Sequence, residues 1–145
     1  YIVLIDPSVE VLEDPIGSIL EALNSKEVGV VGHRGMCTED FKEFFDCQRP
    51  YVDAVQIYFM AFPRAIIKKT GLINEKFRFY RHLDLYFCFS VKDLGYKIRA
   101  LPSLKLRYHE HRAWMELTEE ERFKKSRHNF YIFYKKWHHH RELLT

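Results

Sequence analysis

The sequence predicts an α/β domain, and three observations carry that prediction. Residues 1–5 and 28–31 are continuous apolar runs rich in β-branched side chains, which fits strands buried on both faces. Ile16, Ile19, Leu20 and Leu23, and later Leu83, Phe87, Val91 and Leu94, repeat at helical spacing along one face. No repeat, low-complexity tract or linker divides the 145 residues, a length that suits one domain with a sizeable core. The chain reads as one α/β domain, or the later half of one.

The elements follow in order. Residues 1–5 form a buried strand, expected to be parallel, which ends in the turn Asp6-Pro7-Ser8. Asp14 caps a helix over 15–25 with Pro15 at its first position. A second short strand, 28–31, closes at Gly32 and Gly35, and 39–47 is a short helix or an irregular surface piece. Residues 52–62 read as one long aromatic strand ending at Pro63-Arg64. A short helix over 65–69 stops at Gly71, and 72–82 is a loop dense in aromatic and basic side chains. The helix 83–94 is capped by Gly95, and strands 97–100 and 104–108 flank Pro102. Thr118 with Glu121 is a capping-box signature for a last helix reaching about Trp137.

Composition narrows the function classes. Hydrophobic content of 47% with 30% charged residues marks a globular chain rather than a disordered one. Twelve Phe and nine Tyr supply a large core, a stacking surface, or both. A net charge of +3 is too mild to argue for nucleic acid, although basic residues thicken after residue 97 and give the last third a weak preference for anionic surfaces. Cys37, Cys47 and Cys88 show no close pairing and no zinc spacing, and read as reduced thiols of a cytosolic protein. The apolar stretch 52–62 is too short to span a bilayer, and no signal peptide is present. The chain opens on an apolar run without an initiator Met, which predicts that a preceding portion has been removed.

Four groups of residues can carry chemistry. Asp6 lies just past the end of an apolar strand, the edge where open α/β sheets bind ligands, and can hold a hard divalent cation; a turn cap before Pro7 is the alternative. Asp84 opens its helix, where a carboxylate suits the helix dipole, and is either an ordinary helix-start acid or a general base. His109 and His111 alternate at a strand end, so one of the two faces any site there; either can ligate a metal or bond a phosphate. Arg78 and Arg81 stand among Phe77, Phe79, Tyr80 and His82, a mixture that suits stacking a sugar or nucleotide and binding its phosphates, or a plug beneath the next helix. His138, His139 and His140 sit at a helix end and read as a solvated terminus.

Taken in order, these pieces resemble the second half of a family 2 glycosyltransferase with the glycosyltransferase A fold. Leu4-Ile5-Asp6-Pro7-Ser8 stands where that family has an Asp-x-Asp motif. Phe62-Pro63-Arg64 and Gly71-Leu72-Ile73-Asn74-Glu75-Lys76-Phe77 stand where it has an aromatic strand ending in Arg and then Gly-Gly-Phe-Asp-Glu-x-Phe. Leu83-Asp84 and Gly95-Tyr96 match the position and length of its Glu-Asp helix, and His109 or His111 matches a histidine returning to the metal. Ser8, Leu83 and Tyr86 replace acids of the family pattern.

The resemblance implies a partial glycosyltransferase A fold, a mixed sheet flanked by helices with its N-terminal nucleotide-binding half missing. Residues 1–112 would be the C-terminal portion of that domain, and 113–145 a helical extension packed on it. It implies an inverting sugar transfer from a nucleotide-diphosphate sugar to a carbohydrate or lipid-linked acceptor, with no nucleic acid involved. Asp84 would be the base, Asp6 and His109 (or His111) would hold Mn or Mg, and Arg64, Arg78 and Arg81 would bind substrate. It places the whole protein in the cytoplasm, with room for a peripheral membrane association, and leaves the isolated 145 residues inactive. A degenerate module that binds carbohydrate or a protein partner without turnover is the rival reading.

Overall fold

The computed structural model describes residues 1–71, 74–77, 81–109 and 115–145. Its strands are β1 (Ile2–Ile5), β2 (Val9–Val11), β3 (Val28–Gly32), β4 (Gly35–Cys37), β5 (Phe45–Asp46), β6 (Tyr51–Val52), β7 (Ala54–Val55), β8 (Phe59–Phe62), β9 (Lys97–Ala100) and β10 (Leu106–Tyr108). The helices are α1 (Ile16–Leu23), α2 (Arg64–Thr70), α3 (Leu83–Asp93) and α4 (Glu119–Trp137), followed by a 3₁₀ turn, Arg141–Leu143. The central sheet is mixed, in the order β1-β8-β3-β9-β6, with β3 and β9 parallel and the other neighbours antiparallel. Two small sheets, β10-β2 and β5-β4-β7, complete the strands.

The central strands are buried on both faces, which is why they read as unbroken apolar runs. Val31, Phe59 and Ala61 point to one face, where Ile19, Ala22 and Leu23 of α1 cover them. Val30, Met60, Phe62 and Ile98 point to the other, beneath Phe87, Phe89 and Val91 of α3. This is the period-two alternation of a pleated strand. Phe133 and Trp137 of α4 are fully buried in that second layer, with Phe133 edge-on to Phe89 at 5.4 Å between ring centroids. The helix α4 thus shares one core with the sheet, while Phe123 and Tyr131, on its outer side, are exposed.

Local signals act as expected at several points. Asp14 Oδ1 accepts the Ile16 N–H at the start of α1, and Thr118 and Glu121 cap each other at the start of α4. Gly95 ends α3 at φ +85°, a conformation that costs a residue without Cβ little.

Three expectations are corrected. Residues 1–5 do not make a buried parallel strand: β1 pairs antiparallel with β8 at one edge of the sheet, its side chains half-buried and Ile5 exposed. Among the described residues no strand pairs with its other side. Residues 52–62 are not one strand but β6, β7 and β8, broken at Asp53 and at the turn 56–58. The break has a polar cause. Asp53 is fully buried, and its carboxylate accepts the Thr38 and Thr145 N–H groups and pairs with Lys92 at 2.6 Å. Those partners are incompatible with a straight ladder through residue 53. Finally, Cys37 and Cys47 are joined in a disulfide, leaving Cys88 as the buried free thiol, so the reading of three reduced cysteines does not hold. The segment 39–47 is irregular apart from β5, and the bridge closes it into a loop anchored by buried Phe41. Among the described residues, no helix is long and apolar enough to cross a membrane.

Candidate functional site

Strand direction brings the chemistry to one edge. β1 and β3 both run antiparallel to β8, and β9 runs parallel to β3, so these three strands end together at Ile5, Gly32 and Ala100. The segments that follow them, Asp6 to Ser8, His33-Arg34 and Leu101-Pro102, therefore crowd the carboxyl edge, where open α/β sheets bind ligands. The turn before β8 joins them. Asp6 N–H donates to the Tyr58 carbonyl at 2.9 Å, and Gln56 N–H donates to the Arg34 carbonyl at 3.2 Å. Ile57 N–H donates to Asp84 Oδ2 in a long bond of 3.4 Å.

Asp84 occupies the first turn of α3, entered through His82 in the left-handed conformation at φ +63°. Its Oδ1 accepts the Leu85 N–H at 3.0 Å. The side chain lines a cavity of about 270 Å³ with Met36, Phe44, Gln56, Tyr58, Arg81 and His82. On its other side a small apolar cavity is walled by Leu4, Met60, Phe62 and Phe87. Asp84 keeps partial solvent contact, but these apolar walls remove most of the water that would stabilise its charge. Burial pushes its pKa up to about 6, against the opposing pull of the Leu85 and Ile57 N–H groups and of Arg81. Burial, and then the Arg81 charge, lower His82 to about 4. At neutral pH the cavity therefore holds a carboxylate close to its own pKa beside a neutral imidazole, whose Nδ1 is buried without a hydrogen-bond partner among the described residues. Such a carboxylate can take a proton from a bound hydroxyl and hold it.

The other candidate residues divide. Arg81 lines the same cavity as Asp84. Asp6 stands next to it at the sheet edge, but its Oδ1 accepts both the N–H and the hydroxyl of Ser8, at 2.8 and 2.6 Å. His109 is brought close to that turn, since its N–H donates to the Ser8 carbonyl at 2.8 Å. Its ring, however, pairs with Glu10 at 2.9 Å, and Arg107 shares the same carboxylate at 3.1 Å. The His109 hydrogen bond, with help from Arg107, holds Glu10 below the ordinary carboxylate range. Arg64 is at the wrong end: β8 separates it from the Asp6 edge, a distance of roughly 13 Å at about 3.3 Å per residue. Arg78 and His111 lie outside the described residues.

A divalent cation needs more than this edge supplies. Among the described residues no group of three or more His, Cys, Asp or Glu side chains converges to hold a metal ion. Asp6 and His109 are each engaged by a neighbour, so the residues present do not fit a metal centre built by protein alone.

Several residues at this edge carried no assignment from sequence. Tyr108 Oη and His33 Nδ1 share a hydrogen bond of 2.8 Å, Arg34 lies 4.6 Å above the Tyr108 ring, and Tyr58 meets that ring edge-on. Their signal was available: His33-Arg34 follows an apolar strand closed by Gly32, as Asp6 follows another. Tyr108 had no such mark, because only the β2–β10 pairing carries it to the site. Compared with known proteins, the chain matches no family model and no curated sequence.

Proposed function

We propose that this chain forms the acceptor side of an inverting glycosyltransferase site. In this reading an acceptor hydroxyl in the Asp84 cavity attacks the anomeric carbon of a nucleotide-diphosphate sugar. The new oxygen–carbon bond forms as the bond from carbon to the diphosphate oxygen breaks, and the hydroxyl proton passes to Asp84. The single observation that carries the proposal is a carboxylate with a pKa of about 6 lining a cavity at the carboxyl edge of the sheet. The order of motifs along the chain supports it.

The nucleotide-binding half belongs to a preceding segment in this proposal, and the side of β1 that no strand pairs among the described residues is a suitable place for it. Arg81 would orient substrate at the cavity mouth. Asp6 and His109, engaged by Ser8 and Glu10, do not by themselves make a Mn or Mg site among the described residues, and no step of the proposal depends on a metal ion. The whole protein would act in the cytoplasm, peripheral to a membrane that carries its lipid-linked or carbohydrate acceptor. The Cys37–Cys47 disulfide opposes that location, since a reducing cytosol keeps accessible thiols free.

The test is Asp84→Asn in the full-length protein with a nucleotide-sugar donor. Loss of the base is expected to lower kcat about 10²- to 10⁴-fold and to abolish the rise of rate with pH through about 6. An unchanged rate would overturn the assignment. A binding module without turnover is the second reading, favoured by the engagement of Asp6 by Ser8 and of His109 by Glu10. Transfer or hydrolysis of a sugar nucleotide by the full-length protein would exclude it.

A further inference from the structure

A second groove opens at the same edge, at the carboxyl ends of the parallel pair β3 and β9. It has a volume of about 360 Å³, and His33, Arg34, Asp46, Gln48 and Pro102 are among the residues that line it. A crevice between the carboxyl ends of adjacent parallel strands is where α/β sheets place ligands.

The groove holds a braced cation. Arg34 is exposed, no carboxylate pairs with it among the described residues, and its guanidinium lies 4.6 Å above the Tyr108 ring. Tyr108 is itself fixed by the 2.8 Å bond to His33 and by the edge of Tyr58. A guanidinium held in this way keeps its planar fork free and loses little freedom on binding an oxyanion. The neighbouring rim, Asp46 to Gln48, is also fixed: the disulfide ties Cys47 to Cys37, and Cys47 N–H donates to the Gly35 carbonyl at 3.1 Å. That rim presents the Asp46 carboxylate and the Gln48 amide. Asp46 repels a bare anion, but carboxylate and amide together suit hydroxyl groups.

We infer that this groove binds a saccharide carrying an oxyanion substituent, the oxyanion on Arg34 and the ring hydroxyls on Asp46 and Gln48. Calling that saccharide the acceptor rests on the transfer reading above. The bond from Gln56 N–H to the Arg34 carbonyl ties the strand end that carries this groove to the turn that lines the Asp84 cavity.

The test is titration of the whole chain with glucuronate, glucose 6-phosphate, glucose and inorganic phosphate, followed by backbone amide NMR shifts. The charged sugars are expected to move the Arg34, Gln48 and Tyr108 signals, with glucose and inorganic phosphate at least tenfold weaker. Stronger binding of glucuronate assigns a carboxylate ligand, and stronger binding of glucose 6-phosphate a phosphorylated one. Arg34→Gln, an exposed change whose fold the same spectra check, is expected to weaken the charged sugars at least tenfold. Asp46→Asn should weaken them while strengthening inorganic phosphate. Equal binding of glucose, or wild-type binding by Arg34→Gln, would overturn the inference. Selective binding without turnover in the full-length protein would sink the transfer reading and leave this groove; turnover without selective binding would do the reverse.

Discussion

Lys92 Nζ reaches Asp53 Oδ1 across 2.6 Å and joins the C-terminal half of α3 to the break between β6 and β7. Asp84 stands on the same helix, so this buried pair fixes the axis on which the candidate base is carried. Burial lowers the Lys92 pKa, and the hydrogen bond and charge of Asp53 oppose that fall. Removing one partner strands a charge in the core. Asp53→Ala or Lys92→Met alone is expected to cost about 3–5 kcal/mol in urea unfolding. The double variant should lose clearly less than the sum of the two. Strict additivity would show that the two side chains do not act as a pair.

Asp84 should make the fold less stable as pH rises. Its folded pKa of about 6 lies above its ordinary value of 3.8, so between these values the folded state binds more protons than the unfolded state. Stability is then fully present below about pH 4 and declines as pH approaches 6. Asp84→Asn removes the buried charge while keeping an acceptor for the Ile57 and Leu85 N–H groups. It is expected to be more stable at pH 7 by up to about 3 kcal/mol, and equal to the wild type near pH 3. Thermal melts of both proteins from pH 3 to 8 decide this, and a destabilised Asp84→Asn at pH 7 would count against desolvation of the site.

The disulfide gives a thiol count. Cys88 is buried, and burial pushes its thiol up to about 12, so the folded protein should react with no thiol reagent at neutral pH. Unfolding without reductant should expose one thiol, and reduction should expose three. Opening the bridge should cost about 3 kcal/mol, the loop-closure value for a loop of this size. Three reactive thiols without reductant would remove the bridge, and with it the tie that fixes the Asp46–Gln48 rim beside Arg34.

Gly29 and Gly17 should respond oppositely to alanine. A Cβ on Gly29 would stand 2.5 Å from Val91 Cγ1 and 2.7 Å from Tyr96 Cβ, so β3 meets α3 at a place with no room for a methyl group. Gly29→Ala is expected to destabilise by about 1–3 kcal/mol. Gly17 lies within α1 with nothing near its added Cβ, and Gly17→Ala should stabilise by about 0.5–1 kcal/mol. Equal effects from the two, measured by urea unfolding, would put the β3–α3 packing in error.

The sequence by itself determined the elements whose cause is local. The Thr118–Glu121 box, the Asp14 cap and Gly95 all act within a few residues, and each is found where the pattern put it. The helix α3 forms over the predicted residues, but it buries Leu85 and Phe89 as well as Phe87 and Val91, and leaves Leu94 exposed. Asp84 was legible as a carboxylate opening a helix, but its raised pKa was not, because Leu4, Met60 and Phe62 arrive from distant strands to desolvate it. Strand direction was also beyond reach. An apolar run looks alike in parallel and antiparallel pairing, so β1 was placed wrongly and Arg64 was grouped with a site at the other end of β8. Asp53 broke a strand that hydrophobicity alone joined, since its partners Thr38, Lys92 and Thr145 are 15, 39 and 92 residues away. The Arg34–Tyr108 platform likewise depends on long-range pairing, whereas the Cys37–Cys47 bridge follows from the β4–β5 hairpin that folds residues ten apart together. Tertiary structure decided these features because each is a meeting of side chains brought together by packing, and the sequence records the side chains without the meeting.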